Sequence, residues 1–187
     1  MLTGHRLASP ARAEITVTNP NQGPVPVSGV TSSDGAFARV DGGTCGPSVP
    51  GGGQCRVLVQ FAPQRLGRHA TTLTVTSAGV GATSLDLTGT GVVQLVVAVG
   101  PEGFAVPADA VTVSGVGNCG GGCTATVSES RVTLTARALP EPDGGTWVGT
   151  WEKPCSDDHG VCSLKLSRDQ SIVVGYHHVP PPVRTPG

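Results

Sequence analysis

Apolar and polar residues alternate at a period of two through much of the chain. In Ala13-Glu-Ile-Thr-Val-Thr-Asn19, Ile15 and Val17 fall on one face while Thr16 and Thr18 fall on the other. Gln54-Cys-Arg-Val-Leu-Val-Gln-Phe61 places Cys55, Val57, Val59 and Phe61 together, and Thr72-Leu-Thr-Val-Thr-Ser77 and Ser84-Leu-Asp-Leu-Thr88 repeat the pattern. Such runs predict half-buried strands. Their apolar faces need a second sheet to cover them. Good turn formers lie between the runs, at Asn19-Pro-Asn-Gln-Gly23, Ser33-Asp-Gly35 and Gly51-Gly-Gly53. Residues 1–92 therefore read as one small β-sandwich.

Val93-Gln-Leu-Val-Val-Ala-Val99 opens a second unit, residues 93–178, with almost no linker. In Arg131-Val-Thr-Leu-Thr-Ala-Arg-Ala138 the pattern points Val132, Leu134 and Ala136 inward. Cys162-Ser-Leu-Lys-Leu166 and Ser171-Ile-Val-Val-Gly-Tyr176 flank a short turn from Ser167 to Ser171, an arrangement that predicts a hairpin. The Pro-rich tail, residues 179–187, cannot join a central strand and is expected to be extended or disordered. No apolar stripe at helical spacing stands out, and 28 glycines and 16 prolines interrupt the chain too often for ordinary helices. The predicted class is all-β.

Charge narrows the function classes. Charged residues are 13% of the chain, the formal net charge is −1, and the only lysines are Lys153 and Lys165. Nucleic-acid binding needs clustered Lys and Arg, so no nucleic-acid partner is expected. No apolar run reaches the roughly 20 residues of a membrane-spanning helix. Met1-Leu-Thr-Gly-His-Arg-Leu-Ala-Ser-Pro10 lacks the apolar core of a signal peptide, so Met1 is expected to open an expressed piece or a fragment of a longer chain.

Two family resemblances then emerge. Thr18-Asn19, Gly35-Ala-Phe37, Cys45, Gly52-Gly-Gln-Cys55, Phe61-Ala-Pro63, Gly67 and Leu87-Thr-Gly-Thr-Gly91 resemble the pattern of choice-of-anchor D and Hydin-like immunoglobulin-fold domains over residues 12–92. The family's first strand, an apolar run with Phe-Gly ahead of Thr-Asn, is missing or degenerate by this reading. An exposed sheet edge is expected in consequence, at Ala13–Asn19 or Thr72–Ser77, ready to take a strand from another chain. The second unit resembles the divergent bacterial repeat related to internalin B-type repeats. The residues that carry this are Leu95 to Val99, Cys119 and Cys123, Val132 to Ala136, Trp147 to Cys155, and Cys162 to Tyr176.

Six cysteines allow about 15 pairings, and spacing alone does not choose among them. Both resembling families carry cysteines as local pairs, which implies Cys45/Cys55, Cys119/Cys123 and Cys155/Cys162. Zinc is the competing use of the last four. Structural zinc sites favour cysteines two to four residues apart, and the Cys155/Cys162 pair is wider than that. A redox centre wants Cys-x-x-Cys at a helix start. Disulfide staples, and hence an oxidising compartment, are the reading that remains.

Other candidates fall short of a site. Asp157-Asp158-His159 has too few oxygens at set spacing for a calcium loop. His177 and His178, adjacent on a strand, point to opposite faces. Trp147 and Trp151 lie four apart and face the same side of a regular strand; they fill a core or, if exposed, form a sugar- or protein-binding platform. No catalytic constellation stands out, and no cofactor or metal is expected. The resemblances imply a non-catalytic structural or adhesive segment of a secreted bacterial cell-surface protein. It would act through a protein partner or self-assembly, with a glycan or cell-wall polymer as the alternative ligand. Rival readings are a phage virion accessory protein, in capsid decoration or tail, and a carbohydrate-binding portion of a secreted enzyme.

Overall fold

The computed structural model describes residues 2–7, 9–100, 106–155 and 160–183. It is all-β, and the chain divides into two compact units, Met1–Val92 and Val93–Gly187. The strands of the first unit are β1 (Leu2–Arg6), β2 (Ala11–Thr18), β3 (Val25–Pro26), β4 (Gly29–Ser32), β5 (Phe37–Val40), β6 (Ser48–Val49), β7 (Gln54–Phe61), β8 (Gly67–Ser77) and the leading part of β9 (Gly81–Gly100).

One sheet of this unit is antiparallel in the order β2-β7-β5. The other runs β9-β8-β4, with β1 added parallel to β9 along Gly89–Val92; β3 and β6 form a short ladder of their own. The period-two pattern is realised most fully in β7, where Cys55, Val57, Val59 and Phe61 are all buried. They join Phe37, Cys45, Val49 and Leu73 in one core, against which Ile15, Val17, Val30 and Leu87 pack. The Phe37 and Phe61 rings meet at 4.7 Å. Gly89 is required where β9 crosses this aromatic pair, because a Cβ there would lie 2.5 Å from Phe61 Cζ.

Two expectations for this unit are corrected and one is narrowed. The first strand, expected to be missing or degenerate, is present as β1 over residues 2–6 without an apolar run, built on backbone pairing with β9. Thr72–Ser77 is not an edge, since β9 pairs with all of β8 on one side and β4 covers Leu73–Thr76 on the other. Leu85 is 47% exposed although it alternates like a buried residue, because its segment of β9 pairs only with β8 among the described residues.

The second unit takes up β9 from Val93 and adds β10 (Val111–Val113), β11 (Gly117–Asn118), β12 (Cys123–Val127), β13 (Arg131–Ala136), β14 (Leu139–Pro140), β15 (Thr146–Trp151), β16 (Val161–Lys165) and β17 (Gln170–Val179). One layer runs β14-β15-β17-β9, with β12 on the other side of β9; the second runs β11-β10-β13-β16. Val132, Leu134 and Ala136 are buried as their alternation predicts.

The predicted hairpin between the last two strands does not form. β16 pairs with β13, whereas β17 pairs antiparallel with β15 and parallel with β9. Cys162, Leu164, Leu166, Ile172, Val174 and Tyr176 are all buried, and the turn carries the chain from one layer to the other. Asp169 in that turn accepts the Gln94 N–H at 2.8 Å, which fixes the start of β17 beside β9. Val179 still pairs with Thr146, so the ladder continues one residue into the Pro-rich tail.

Candidate functional site

The feature with the clearest capacity for association is the outer edge of β2. On its inner side all eight residues pair with β7, from Ala11 opposite Phe61 to Thr18 opposite Gln54. Among the described residues no strand pairs with its other side. An edge strand in this position presents unpaired N–H and C=O groups to solvent. Its inward residues Ala11, Ala13, Ile15 and Val17 are only half-buried, unlike their cross-strand neighbours on β7. Its charges point outward, where they leave the apolar face clear: Arg12 is exposed, and Glu14 pairs with Arg56 of β7 at 3.3 Å.

The end of this edge is held by Asn19. Its side-chain N–H groups donate to the carbonyls of Gly23, Val49 and Pro50 at 2.9–3.1 Å, and its Oδ1 accepts the Asn21 N–H at 3.0 Å. Its own backbone N–H reaches the Gly53 carbonyl. One buried carboxamide therefore ties the 19–23 turn to the 49–53 turn. Beside it opens a cleft of about 480 Å3, lined by Val17, Val25, Val27, Val75 and Val80 among others.

Sequence reasoning missed a second polar cluster, on β8. His69 is buried beneath the Ser33-Asp-Gly35 turn, with Nε2 donating to the Arg65 carbonyl at 3.0 Å and Nδ1 at 3.1 Å from Asp34 Oδ2. Thr71 Oγ1 accepts the backbone N–H groups of Ser33 and Asp34. The Ala36 N–H foremost, with His69 and Arg65 helping, holds the Asp34 carboxyl below its ordinary value against the opposing effect of its burial. Nothing in the period-two pattern announces this cluster. The Ser-Asp-Gly turn is its only trace in the sequence.

The three cysteine pairs are disulfides: Cys45–Cys55, Cys119–Cys123 and Cys155–Cys162, with Cα separations of 4.8, 5.1 and 5.5 Å. These distances lie within the span a disulfide bridges. No cysteine is free. Asp157, Asp158 and His159 lie outside the described residues.

The two tryptophans share a strand face but not an environment. Trp151 is buried, its indole N–H donating to the Gly160 carbonyl at 3.0 Å. Trp147 is half-buried, donates to Glu141 Oε1 at 2.6 Å and lies against His178, its direct cross-strand partner, with ring centres 5.3 Å apart. They do not form a common exposed platform. His177 stands opposite Val148 and His178 opposite Trp147, so the two histidines face opposite ways. His178 meets Glu141 Oε2 at 3.3 Å, and donor atoms of Glu141, Asp143 and His178 all lie within 4.8 Å. Those groups largely satisfy one another and the turn, since Asp143 Oδ1 accepts the Gly145 N–H. Nearby, the Tyr176 hydroxyl is buried between the carbonyls of Ala110 and Arg137, at 3.1 and 3.0 Å, and burial raises its pKa.

No protein-family model matches the chain, and no curated protein matches it. Among solved structures it is similar to the secreted serine protease VesC from Vibrio cholerae, with a TM-score of 0.41 and 10% identity. The match covers 97% of this chain and 42% of that protein. A likeness at that level carries no statement about this chain's activity.

Proposed function

We propose that this chain is a non-catalytic structural or adhesive segment of a secreted bacterial cell-surface protein, working by association at the outer edge of β2. The observation that carries this reading is the edge itself. It is eight residues long, unpaired on one side among the described residues, and lined by half-buried apolar residues with no inward charge. Strand addition to such an edge supplies a ladder of main-chain hydrogen bonds and covers the incompletely buried face. Three disulfides fit an oxidising, extracellular setting. The resemblances to choice-of-anchor D and divergent bacterial repeat domains support the bacterial surface as the place.

The test is photo-crosslinking in the cells that export the chain. A crosslinking side chain at Thr16, on the edge strand, is expected to capture another polypeptide; one at Thr72, on the central strand β8, is not. Equal capture from both positions, or none from Thr16, overturns the use of this edge.

A further inference from the structure

We propose that the strand taken up by β2 is β2 of a second copy of this chain, paired antiparallel about a two-fold axis at Ala13. This rests on the proposed use of the edge and adds the partner and the register.

The charge pattern selects the register. In an antiparallel pair, directly opposite residues share a face, so outward residues must meet outward residues. The outward residues of β2 are Arg12, Glu14, Thr16 and Thr18. With the axis at Ala13, Arg12 of each copy stands opposite Glu14 of the other, which makes two opposite-charge pairs. An axis at Arg12 or Glu14 sets like charges opposite one another, which is unfavourable. An axis at Ile15 sets both charges opposite threonines.

The side chains are ready for this arrangement. Arg12 has no carboxylate partner within its own chain among the described residues. Glu14 holds Arg56 through Oε1, which leaves Oε2 for Arg12 of the second copy. Inside, Ala13 meets Ala13 at the axis and Ala11 meets Ile15, so the half-buried face gains cover without crowding. The joined ladder runs β5-β7-β2 and then the same three strands of the second copy in reverse.

The other long free edge does not suit a second copy. On β9, the segment Gly81–Thr88 lacks an outer partner among the described residues and carries Asp86 as its one charge. Thr72 already donates to that carboxylate at 2.9 Å, and no cation on the segment could answer it.

Analytical ultracentrifugation of the full oxidised chain tests the proposal. The wild type is expected to pass from 18.7 kDa to twice that mass as concentration rises. Arg12→Glu and Glu14→Arg each place like charges opposite one another twice, and each is expected to weaken the dimer at least about tenfold. Mixed in equal amounts, the two variants restore both opposite-charge pairs, so a one-to-one heterodimer of near wild-type affinity is expected. Circular dichroism confirms that each variant is folded. A wild type that stays monomeric to about 1 mM, a dimer that neither variant weakens, or variants that do not recover on mixing would overturn the proposal. If a Thr16 crosslinker captures a different polypeptide in cells while the isolated chain stays monomeric, self-pairing falls and the broader use of the edge stands.

Discussion

Asn19 and Val49 are 30 residues apart in sequence, yet the Asn19 side chain donates to the Val49 carbonyl at 3.0 Å inside the first unit. The same carboxamide reaches Gly23 and Pro50, so the end of β2 is fixed to the chain just after β6 by one side chain.

Asn19→Ala strips these carbonyls of their donor, and the Val49 carbonyl among them is buried. A buried polar group left unsatisfied costs about 1–3 kcal/mol, and several are exposed to that loss here. The expected outcome is a destabilisation of about 2–3 kcal/mol in denaturant unfolding of the oxidised chain, with Asn19→Asp intermediate. A loss below about 0.5 kcal/mol would show that the turns hold without it.

Oxidised protein should weigh six hydrogens less than the sequence mass, two for each disulfide. Replacing Cys45 and Cys55 together by alanine should lower the stability of the first unit by about 2–3 kcal/mol, as expected for a short loop. The measurement is intact mass without reductant, followed by unfolding of the double variant. Free thiols in protein purified from an oxidising compartment would contradict the pairing.

Asp34 gives the first unit a pH dependence of definite sign. Its carboxyl is held below the ordinary value in the folded chain, by the Ala36 N–H first and then by His69 and Arg65. A depressed folded value means that the carboxylate stabilises the fold fully above its unfolded value, about 3.9. The contribution is lost as pH falls through the lower folded value. The stability gap between wild type and Asp34→Asn should therefore narrow on acidification. Thermal unfolding of both proteins between neutral pH and strong acid reads this directly, and a gap that stays constant would remove Asp34 from the account.

Much of the fold is legible in the residues because one face of each long strand is buried. β7 spans the same eight residues that the alternation predicts, and Val132, Leu134 and Ala136 point inward on β13 as expected. What is not legible is pairing. β1 is built from backbone contacts with β9 and carries no apolar run, and β4 is a four-residue strand without clear alternation, so neither the presence of β1 nor the cover on Thr72–Ser77 shows in the pattern. Alternation also cannot say whether two successive apolar faces lie side by side in one sheet or opposite one another in two. That is why Cys162–Leu166 and Ser171–Tyr176 read as a hairpin. The candidate edge is partly legible, in Ala13–Asn19. Arg12 and Glu14 are not, because charges on an outward face look like ordinary solvated positions until their neighbours are known.

The parallel seat of β17 between β9 and β15 has a consequence for how the second unit comes together. The residues that lock it, Asp169 and Gln94, are 75 apart in sequence. Closing so long a loop costs chain entropy before any ladder bond repays it, so this step is expected to be slow and late. A chain that ends before Gln170 leaves β9, among the described residues, with β12 alone beside it in this layer, and leaves β15 with the two residues of β14. The second unit is thus unfinished until its last strand arrives.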